Sequence, residues 1–302
     1  MAIINTGSFA AALYPGINKW YGKAYDEFPV EWTKLFDQFS SKRNYEEEVG
    51  ISSFGLAAIK PEGSSISYDT EQQAFVTRYV MFTVGKGFIV TREMFEDDQY
   101  NVVGERRARG LAFAMRQTKE NHAANVYNRA TNSSYTGGDG LELVSTAHVN
   151  LAGGTWSNES STSAALSEAA LEQAHIDIAA WKDDRGLRIA VRPKTLIIPT
   201  SLMFEATRIL KGADQYGTAE RNINAIKAMG LVPEIVVNHY LTSTTRWFLR
   251  TDAPDGMKFF NRRDEQFDVD NDFDTENAKF KATARYVFGW TDPRGVYGSD
   301  GA

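Results

Sequence analysis

The sequence predicts an α+β protein, and three stretches of the 302-residue chain carry that prediction. A proline-free segment at about residues 100–131 repeats apolar or small side chains every three or four positions, as an amphipathic helix does. Residues 49–90 are instead rich in turn signals and in β-branched and aromatic side chains. Residues 187–271 alternate strand-like and helix-like stretches, which indicates a small sheet packed with helices.

The long helix is the element around which the other stretches are arranged. Asp97 and Asp98 precede it, where the helix dipole favours negative charge. A helix of this length would run on the order of 48 Å, longer than a small domain is wide. Gly104 and Gly110 each disfavour a helix by about 1 kcal/mol relative to alanine. Either the helix bends near its start or another backbone passes close there. Periodicity alone favours an ordinary core helix in a compact enzyme.

Composition fits a folded protein with a substantial core, because 42% of the residues are hydrophobic and 12% are aromatic. The chain has no cysteine, which excludes disulfides and thiolate metal sites. The first residues do not form a signal-peptide pattern, and nowhere do about 18 apolar residues run together. We therefore expect a soluble, non-exported protein with no membrane contact.

The overall charge of the chain does not favour binding to nucleic acid, since the net charge is −6. One local basic cluster stands on the predicted helix, at Arg106, Arg107, Arg109 and Arg116. A solvated or ion-paired helix face is the favoured interpretation of this cluster.

Residues 1–48 have the composition of an arm rather than of a core. Pro15, Gly16 and Pro29 interrupt short helical pieces. Aromatic side chains are too dense for a segment that covers only itself: Phe9, Tyr14, Trp20, Tyr21, Tyr25, Phe28, Trp32, Phe36 and Phe39. They require a partner surface, either on this chain or on a neighbour.

Residues 49–90 predict a long hairpin-like excursion with its tip near Lys60–Ser65. An isolated hairpin is only marginally stable in water, so this one is expected to pack outside its own domain. Later in the chain we predict a helix at about Ser163–Asp183, and strands and helices from Leu187 onwards. Phe280–Trp290 alternates as a strand does, and the following TDPRGVYGSDGA is predicted to be a loop.

Catalytic and phosphate-binding motifs are absent from the sequence, and the four histidines stand alone. His148, with Ser145 and Asp139 nearby, is the one candidate for a hydrolase site. A turn-stabilising role is the favoured interpretation, because proximity in sequence does not build a triad.

Four aspartates alternate in DVDNDFDTEN: Asp268, Asp270, Asp272 and Asp274. A calcium loop would need glycine at its sixth position and glutamate at its twelfth, where Phe273 and Lys279 stand. We therefore predict a solvated acidic loop, and no metal, cofactor or catalytic residue.

Seven stretches resemble those of a known protein family, both in their sequences and in their order along the chain. They are KPEGSSISYD, GFIVTREMFEDDQY, ENHAANVYNRA, DGLELVSTAHVNLAGGTWSN, DDRGLRIAVRPKTLIIPTSL, PEIVVNHYLTSTTRWFL and FKATARYVFGWTDPRG. With these stretches the chain resembles the major capsid proteins of tailed bacteriophages, and in particular the Mu-like major head subunit branch.

The resemblance implies the HK-ninety-seven-like phage capsid fold and a division of the chain. In that division residues 1–48 are an N-terminal arm and 49–90 an extended β-loop. Residues 91–186 are a peripheral domain whose spine helix lies at about 100–131, and 187–276 are an axial domain. Residues 277–302 are a C-terminal strand and tail that return to the peripheral or axial domain.

The implied function is a virion protein that self-assembles into the icosahedral shell around a double-stranded DNA genome. Implied partners are copies of itself in pentamers and hexamers, a separate scaffolding protein, a portal and a decoration protein, with weak, non-specific DNA contact. Assembly would take place in the host cytoplasm. Two alternatives stay open: an encapsulin-like cellular compartment, and a soluble hydrolase that uses His148.

Overall fold

The computed structural model describes residues 19, 21–26, 29–52, 54–96, 104–151, 153–214, 222–232, 234–272 and 277–301. Residues 1–18 of the predicted arm lie outside this range, as do residues 97–103 before the long helix. The described residues form a mixture of helices and sheets, as the α+β prediction requires. No helix among them is both long and apolar enough to cross a bilayer.

The described part of the chain contains five α-helices with defined bounds, a helical segment at residues 21–26 and twelve strands. The helices are α1 (Arg92–Glu96), α2 (Glu105–Asn128), α3 (Glu168–Ala179), α4 (Met203–Lys211) and α5 (Ala225–Met229). The first six strands are β1 (Asp37–Ser40), β2 (Tyr45–Ile51), β3 (Gln73–Val80), β4 (Phe82–Val90), β5 (His148–Val149) and β6 (Thr155–Trp156). The others are β7 (Pro193–Pro199), β8 (Glu234–Asn238), β9 (Trp247–Thr251), β10 (Met257–Asn271), β11 (Ala278–Trp290) and β12 (Val296–Ser299).

The first sheet has the strand order β1-β10-β11-β4 and packs against the long helix α2. β1 runs parallel to β10, and the other neighbours are antiparallel. The apolar face of α2, with Leu111, Met115 and Tyr127, is buried against Phe259 and Tyr286 of the sheet. The 24 residues of α2 span about 36 Å.

Gly110 has open space around it, because an added Cβ would meet no atom within 4 Å. No described backbone therefore passes close to the helix at this point. Gly104 immediately precedes α2 and does not interrupt it.

The second sheet has the order β12-β9-β7-β8 and forms a core with α3, α4 and α5. Leu171 and Ile178 of α3 and Ile209 of α4 are buried against Leu196 and Trp247 of the sheet. Helix α3 is shorter than the predicted Ser163–Asp183 because Ser167 caps its N-terminus and accepts the Ala170 amide hydrogen.

The C-terminal loop prediction was wrong. Val296–Ser299 forms β12, whose residues pair with Trp247–Arg250 of β9. The preceding residues Pro293–Gly295 form a single 3₁₀ turn, capped by the Asp292 side chain.

The acidic-loop prediction was wrong as well for Asp268 and Asp270, because β10 continues through Asn271, whereas Asp272 follows the strand and Asp274 lies outside the described residues. In the antiparallel register Asp268 lies opposite Lys281, and Asp270 lies opposite Lys279. Asp272 Oδ2 forms an ion pair with Lys279 Nζ at 2.5 Å. The alternating carboxylates therefore match lysines across the ladder, which is a favourable cross-strand arrangement.

The two sheets are joined by a pair of crossover segments, residues 252–256 between β9 and β10 and residues 291–295 between β11 and β12. The segments are hydrogen-bonded to each other, from Thr291 N to Gly256 O at 3.1 Å and from Asp292 N to Asp255 O at 2.8 Å. A Cβ at Gly256 would lie 2.8 Å from the Gly295 Cα, so both positions need glycine. Strand β10, in the predicted axial segment 187–276, thus belongs to the first sheet.

Part of the predicted arm packs on its own chain. Tyr21, Trp32 and Phe36 are buried in the core beneath α2. The Trp32 ring lies 4.4 Å from the Phe259 ring, and the Phe36 ring lies 5.8 Å from that of Tyr127. For these three aromatics the partner surface is therefore this chain. Phe9, Tyr14, Trp20 and Phe28 lie outside the described residues.

Candidate assembly surfaces

The two-stranded ribbon β2–β3 has an apolar face that is exposed in the single subunit. Tyr45 lies opposite Val80 and Val49 lies opposite Val76, with Ile51 beyond them. All five side chains are exposed large hydrophobics. The Glu47–Arg78 ion pair lies between the apolar pairs, and the Arg78 guanidinium lies 4.6 Å from the Tyr45 ring, but the apolar side chains stay exposed, as is typical of protein interfaces.

The ribbon ends in a loop, residues 54–71, which we name the assembly loop. Its apolar side chains are among the most exposed in the described chain: Leu56 is 83%, Tyr68 89% and Ile59 96% exposed. Isolated apolar side chains at a surface are ordinary, but a row of them on a projecting loop is not. The hairpin prediction is confirmed in shape by the β2–β3 pairing.

The base of the ribbon is fixed to the body by a buried polar network. The buried Lys258 ammonium pairs with the Glu48 carboxylate and, at 2.7 Å, with Asp255 Oδ1. Thr291 Oγ1 bonds to Glu48 and lies 2.5 Å from the Tyr79 hydroxyl. Burial raises the pKa of Tyr79, so its hydroxyl stays neutral. The ribbon therefore leaves the body from a rigid base.

The arm segment before β1 is fixed by charges from both halves of the subunit. Glu120 of α2 accepts the backbone amide hydrogens of Glu31 and Trp32. Asp37 pairs with Arg250 of β9 at 2.7 Å. These contacts fix residues 31–37 to the long helix and to the second sheet.

A second exposed apolar surface lies on the helices of the other core. Ile176 of α3, Phe204 of α4 and Met229 of α5 are all more than half exposed, as is Ile223. The buried faces of the same helices form the second core. This surface is a further candidate contact between subunits.

The arginine cluster of the long helix is largely bound within the subunit. Arg107 donates to the Ile89 carbonyl at 2.8 Å, and Arg109 pairs with Glu105 at 2.9 Å. Arg116 is buried, donates to the Tyr25 carbonyl and stacks on the Tyr25 ring. Arg106 is exposed. Arg106 and Arg109 thus agree with the favoured interpretation of a solvated or ion-paired face, whereas Arg107 and Arg116 bond to backbone carbonyls within the subunit.

His148 and Asp139, two of the three residues of the candidate hydrolase site, contact each other. Its Nδ1 lies 2.6 Å from Asp139 Oδ2, and its ring stacks on Trp156 at 4.9 Å. The side chain is 0% exposed, so a substrate has no access to it. Ser145 is engaged through its backbone amide, which donates to Asn158 Oδ1. The pair is placed to stabilise the 139–156 segment.

Lys119 and Glu265 are among the titratable groups that line a cavity of about 570 Å³ between the arm segment, α2 and the first sheet. Lys119 Nζ lies 4.4 Å from the Trp32 ring and 4.7 Å from the Phe259 ring, and burial lowers its pKa to about 8. Glu265 lies in the irregular part of β10, where the register shifts between Arg263 and Gln266. Burial raises the pKa of Glu265 to about 8.

Metal-ligating side chains do not cluster within the described residues. No group of three or more histidine, aspartate or glutamate side chains in these ranges is placed to hold a metal ion.

The sequence model of a family described as phage capsid protein matches residues 75–299. The chain belongs to the phage capsid protein family. No curated protein matches the sequence. The resemblance to phage capsid proteins is therefore confirmed at the level of the family.

Solved structures agree on the fold of this phage capsid protein. A virus-like particle from Pyrococcus furiosus has 10% identity over 94% of this chain and 98% of its own, with a TM-score of 0.54. The capsid of the native GTA particle has 11% identity over 89% of each chain and a TM-score of 0.53. The procapsid of bacteriophage JBD30 has 11% identity over 98% of this chain and 76% of its own, with a TM-score of 0.51.

The capsid protein therefore has the fold of phage capsid subunits, and its role is structural: it is a major capsid protein that forms the shell. The exposed surfaces described above are candidates for contacts between its copies. The sequence indicated the hairpin but not Lys258, Glu48 or Arg250, because a charged residue gives no local signal of a distant partner.

Proposed function

We propose that this capsid protein is the major head subunit of a tailed phage of the Mu-like branch. It assembles as pentamers and hexamers into an icosahedral shell that encloses a double-stranded DNA genome. Closed rings of five and six require heterologous contacts, in which one surface meets a different surface of the next copy. The assembly loop supplies one such surface.

The observation that carries the proposal is the exposure of Leu56, Ile59 and Tyr68 on a projecting loop with a rigid base. In a shell these side chains are buried on a neighbouring copy. The predicted division supports the same arrangement: an arm at 1–48 and an extended β-loop at 49–90 that reach across neighbours. In this division the peripheral domain is 91–186, the axial domain is 187–276, and 277–302 returns to them.

The remaining partners follow from the proposed role. Scaffolding is supplied by a separate protein, and a portal and a decoration protein bind the shell, which assembles in the host cytoplasm. DNA contact is weak and independent of sequence, because the chain carries a net charge of −6. The protein is not an enzyme.

Electron microscopy of the purified capsid protein tests the proposal. The wild type should form closed shells of uniform size, and the double substitution Leu56→Ser with Ile59→Ser should not, while the soluble subunit keeps its thermal stability. The matched control is Ser64→Ala with Ser67→Ala, two exposed positions on the same loop. Shells from the Leu56→Ser, Ile59→Ser variant at the wild-type concentration would contradict the role of the loop.

The contents of the particles separate this role from the compartment alternative. Shells produced during infection should hold DNA that is protected from nuclease. Shells that hold a cellular enzyme and no DNA would favour an encapsulin-like compartment.

The arm is tested by a truncation that spares the core. Removing residues 1–18 leaves the buried Tyr21, Trp32 and Phe36 in place. The truncated subunit should remain folded and lose the ability to form regular shells. Regular shells from this truncation would refute the arm's role.

A further inference from the structure

A tight turn at residues 183–186 presents an arginine towards the assembly loop. Asp183 Oδ1 accepts the amide hydrogens of Arg185 at 2.9 Å and Leu187 at 2.8 Å, and the Asp183 amide donates to the Leu187 carbonyl. Gly186 has a positive φ of 81°, which closes the turn. The turn therefore fixes the backbone of Arg185 independently of the contacts that its side chain makes.

The Arg185 guanidinium binds the returning limb of the assembly loop at two points. Nη1 donates to Asp69 Oδ2 at 2.7 Å, and Nη2 donates to the Thr70 carbonyl oxygen. A planar guanidinium is suited to two acceptors in a fixed geometry, which an ammonium group is not. The contact joins residues that are 116 positions apart in the chain.

Asp69 ties the two limbs of the loop to each other as well. Its Oδ2 accepts the Gly55 amide hydrogen at 2.8 Å from the outgoing limb, and its Oδ1 accepts that of Thr70 at 2.9 Å. These backbone hydrogen bonds and Arg185 hold the pKa of Asp69 at about 2, so the carboxylate is charged at neutral pH. One carboxylate thus links both limbs, and Arg185 links that carboxylate to the body.

The contact does not hide the apolar side chains of the loop. Leu56, Ile59 and Tyr68 remain exposed while Arg185 is bound. An autoinhibitory contact would cover them. What Arg185 restricts is the direction of the loop, not the access of a partner to it.

We propose that Arg185 is a positioning residue for shell assembly, which holds the assembly loop of its own subunit in the orientation that a neighbouring copy receives. Ordering a flexible loop on binding weakens association, and a loop that is already oriented avoids that loss. The inference rests on the proposed function. It adds a residue that acts by holding the loop of its own subunit, and not by an apolar contact with the neighbour.

The test uses Arg185→Ala in the full chain, with Arg188→Ala as the matched control. Arg188 is exposed on the same segment, and within the described part of the chain its side chain forms no hydrogen bond or ion pair with the loop. Hydrogen exchange of residues 54–71 is measured in the unassembled subunit. Arg185→Ala should speed exchange in this loop by about threefold to tenfold, and Arg188→Ala should leave it unchanged.

Assembly is measured on the same variants as the lowest protein concentration that gives shells. That concentration should rise by about threefold to tenfold in Arg185→Ala, with no change of thermal stability. Arg185→Lys keeps the charge but cannot span both acceptors, so it should lie between the wild type and Arg185→Ala. A role in subunit stability alone would move the melting temperature and leave the loop's exchange unchanged.

Two results would overturn the inference: loop exchange that is the same in Arg185→Ala and Arg188→Ala, or faster loop exchange with an unaltered assembly concentration. Failure of the proposed function is recognised separately. In that case the wild type itself forms no shells, whereas the exchange experiment still reports whether Arg185 holds the loop.

Discussion

Glu120, in the middle of the long helix, accepts the backbone amide hydrogen of Trp32 through Oε2 at 3.0 Å. Its Oε1 accepts that of Glu31, also at 3.0 Å. The carboxylate is fully buried, and burial raises its pKa while the two amide bonds oppose that rise. One side chain thus joins the arm segment to the helix that spans the subunit.

Replacing this carboxylate should be costly. Glu120→Ala leaves two buried amide hydrogens without an acceptor, and we expect the free energy of unfolding to fall by about 2–4 kcal/mol. Urea unfolding of the unassembled subunit measures the loss. Gln117→Ala, at an exposed position of the same helix, is the control and should change stability by less than about 0.5 kcal/mol. Equal stabilities of the two variants would contradict the assignment.

Glu265 should make subunit stability depend on pH. Its pKa is about 8 in the folded subunit and rises from an ordinary value of 4.5, so the folded state retains a proton that the unfolded chain releases. The corresponding stability is complete below about pH 4.5 and is lost as the pH rises through about 8. Glu265→Gln carries no such proton. As the pH rises from about 4.5 to about 8, its melting temperature should therefore increase relative to that of the wild type by on the order of 2 °C.

The control for this pH dependence is Glu71→Gln, at an exposed position of the assembly loop. Its difference in melting temperature from the wild type should stay constant with pH. The scan stops near pH 8 because Lys119, whose pKa is lowered to about 8, raises stability with pH above that value. A Glu265→Gln difference that is also independent of pH would show that the carboxyl ionises normally in the folded subunit.

Gly110 and Gly256 should respond to alanine in opposite directions. A Cβ at Gly110 meets nothing within 4 Å, so Gly110→Ala should stabilise the subunit by about 1 kcal/mol through helix propensity. A Cβ at Gly256 would lie 2.8 Å from the Gly295 Cα, so Gly256→Ala should destabilise it by about 2 kcal/mol or more. Urea unfolding of both variants provides the comparison, and the same sign of change in both would refute it.

The two histidine–carboxylate pairs should differ in their effect on stability. His148 is 0% exposed beside Asp139, whereas His239 is 66% exposed beside Glu31. His148→Ala leaves a buried carboxylate and a cavity beside Trp156, and should destabilise the subunit by about 2–4 kcal/mol. His239→Ala should cost less than about 1 kcal/mol. A hydrolytic activity that disappears in His148→Ala with stability intact would favour the enzyme alternative.

Sequence patterns predicted the elements whose signal is local. Helix α2 and strand β11 both follow from the period of their side chains, since each buries one continuous face. Their ends were less well predicted: α3 starts at its Ser167 cap rather than at Ser163, because the cap takes up the first free amide.

Two errors show where local patterns fail. β12 forms by pairing with β9, about fifty positions earlier, and its own four residues contain a glycine. In β10 the alternation of Asp268 and Asp270 was interpreted as solvation, although a period of two is also that of a strand. The lysines opposite them made the strand favourable.

From the sequence, the exposed loop could be predicted to contact a partner. The charged contacts that hold the loop in place could not be predicted. Arg185 meets Asp69 across 116 positions, and Lys258 meets Glu48 across 210. A single sequence gives no indication of which charged side chains will meet over such separations. Whether Trp32 packs on this chain or on a neighbour likewise does not follow from the sequence, and only the packing shows that it lies in the core of this chain.

The paired crossovers at residues 252–256 and 291–295 have a consequence for how the subunit comes apart. The polypeptide passes from one sheet to the other and back, so neither sheet can be peeled away while its companion stays intact. Heating should therefore produce one calorimetric peak rather than two. A mechanical force applied to either half is carried by both crossover segments.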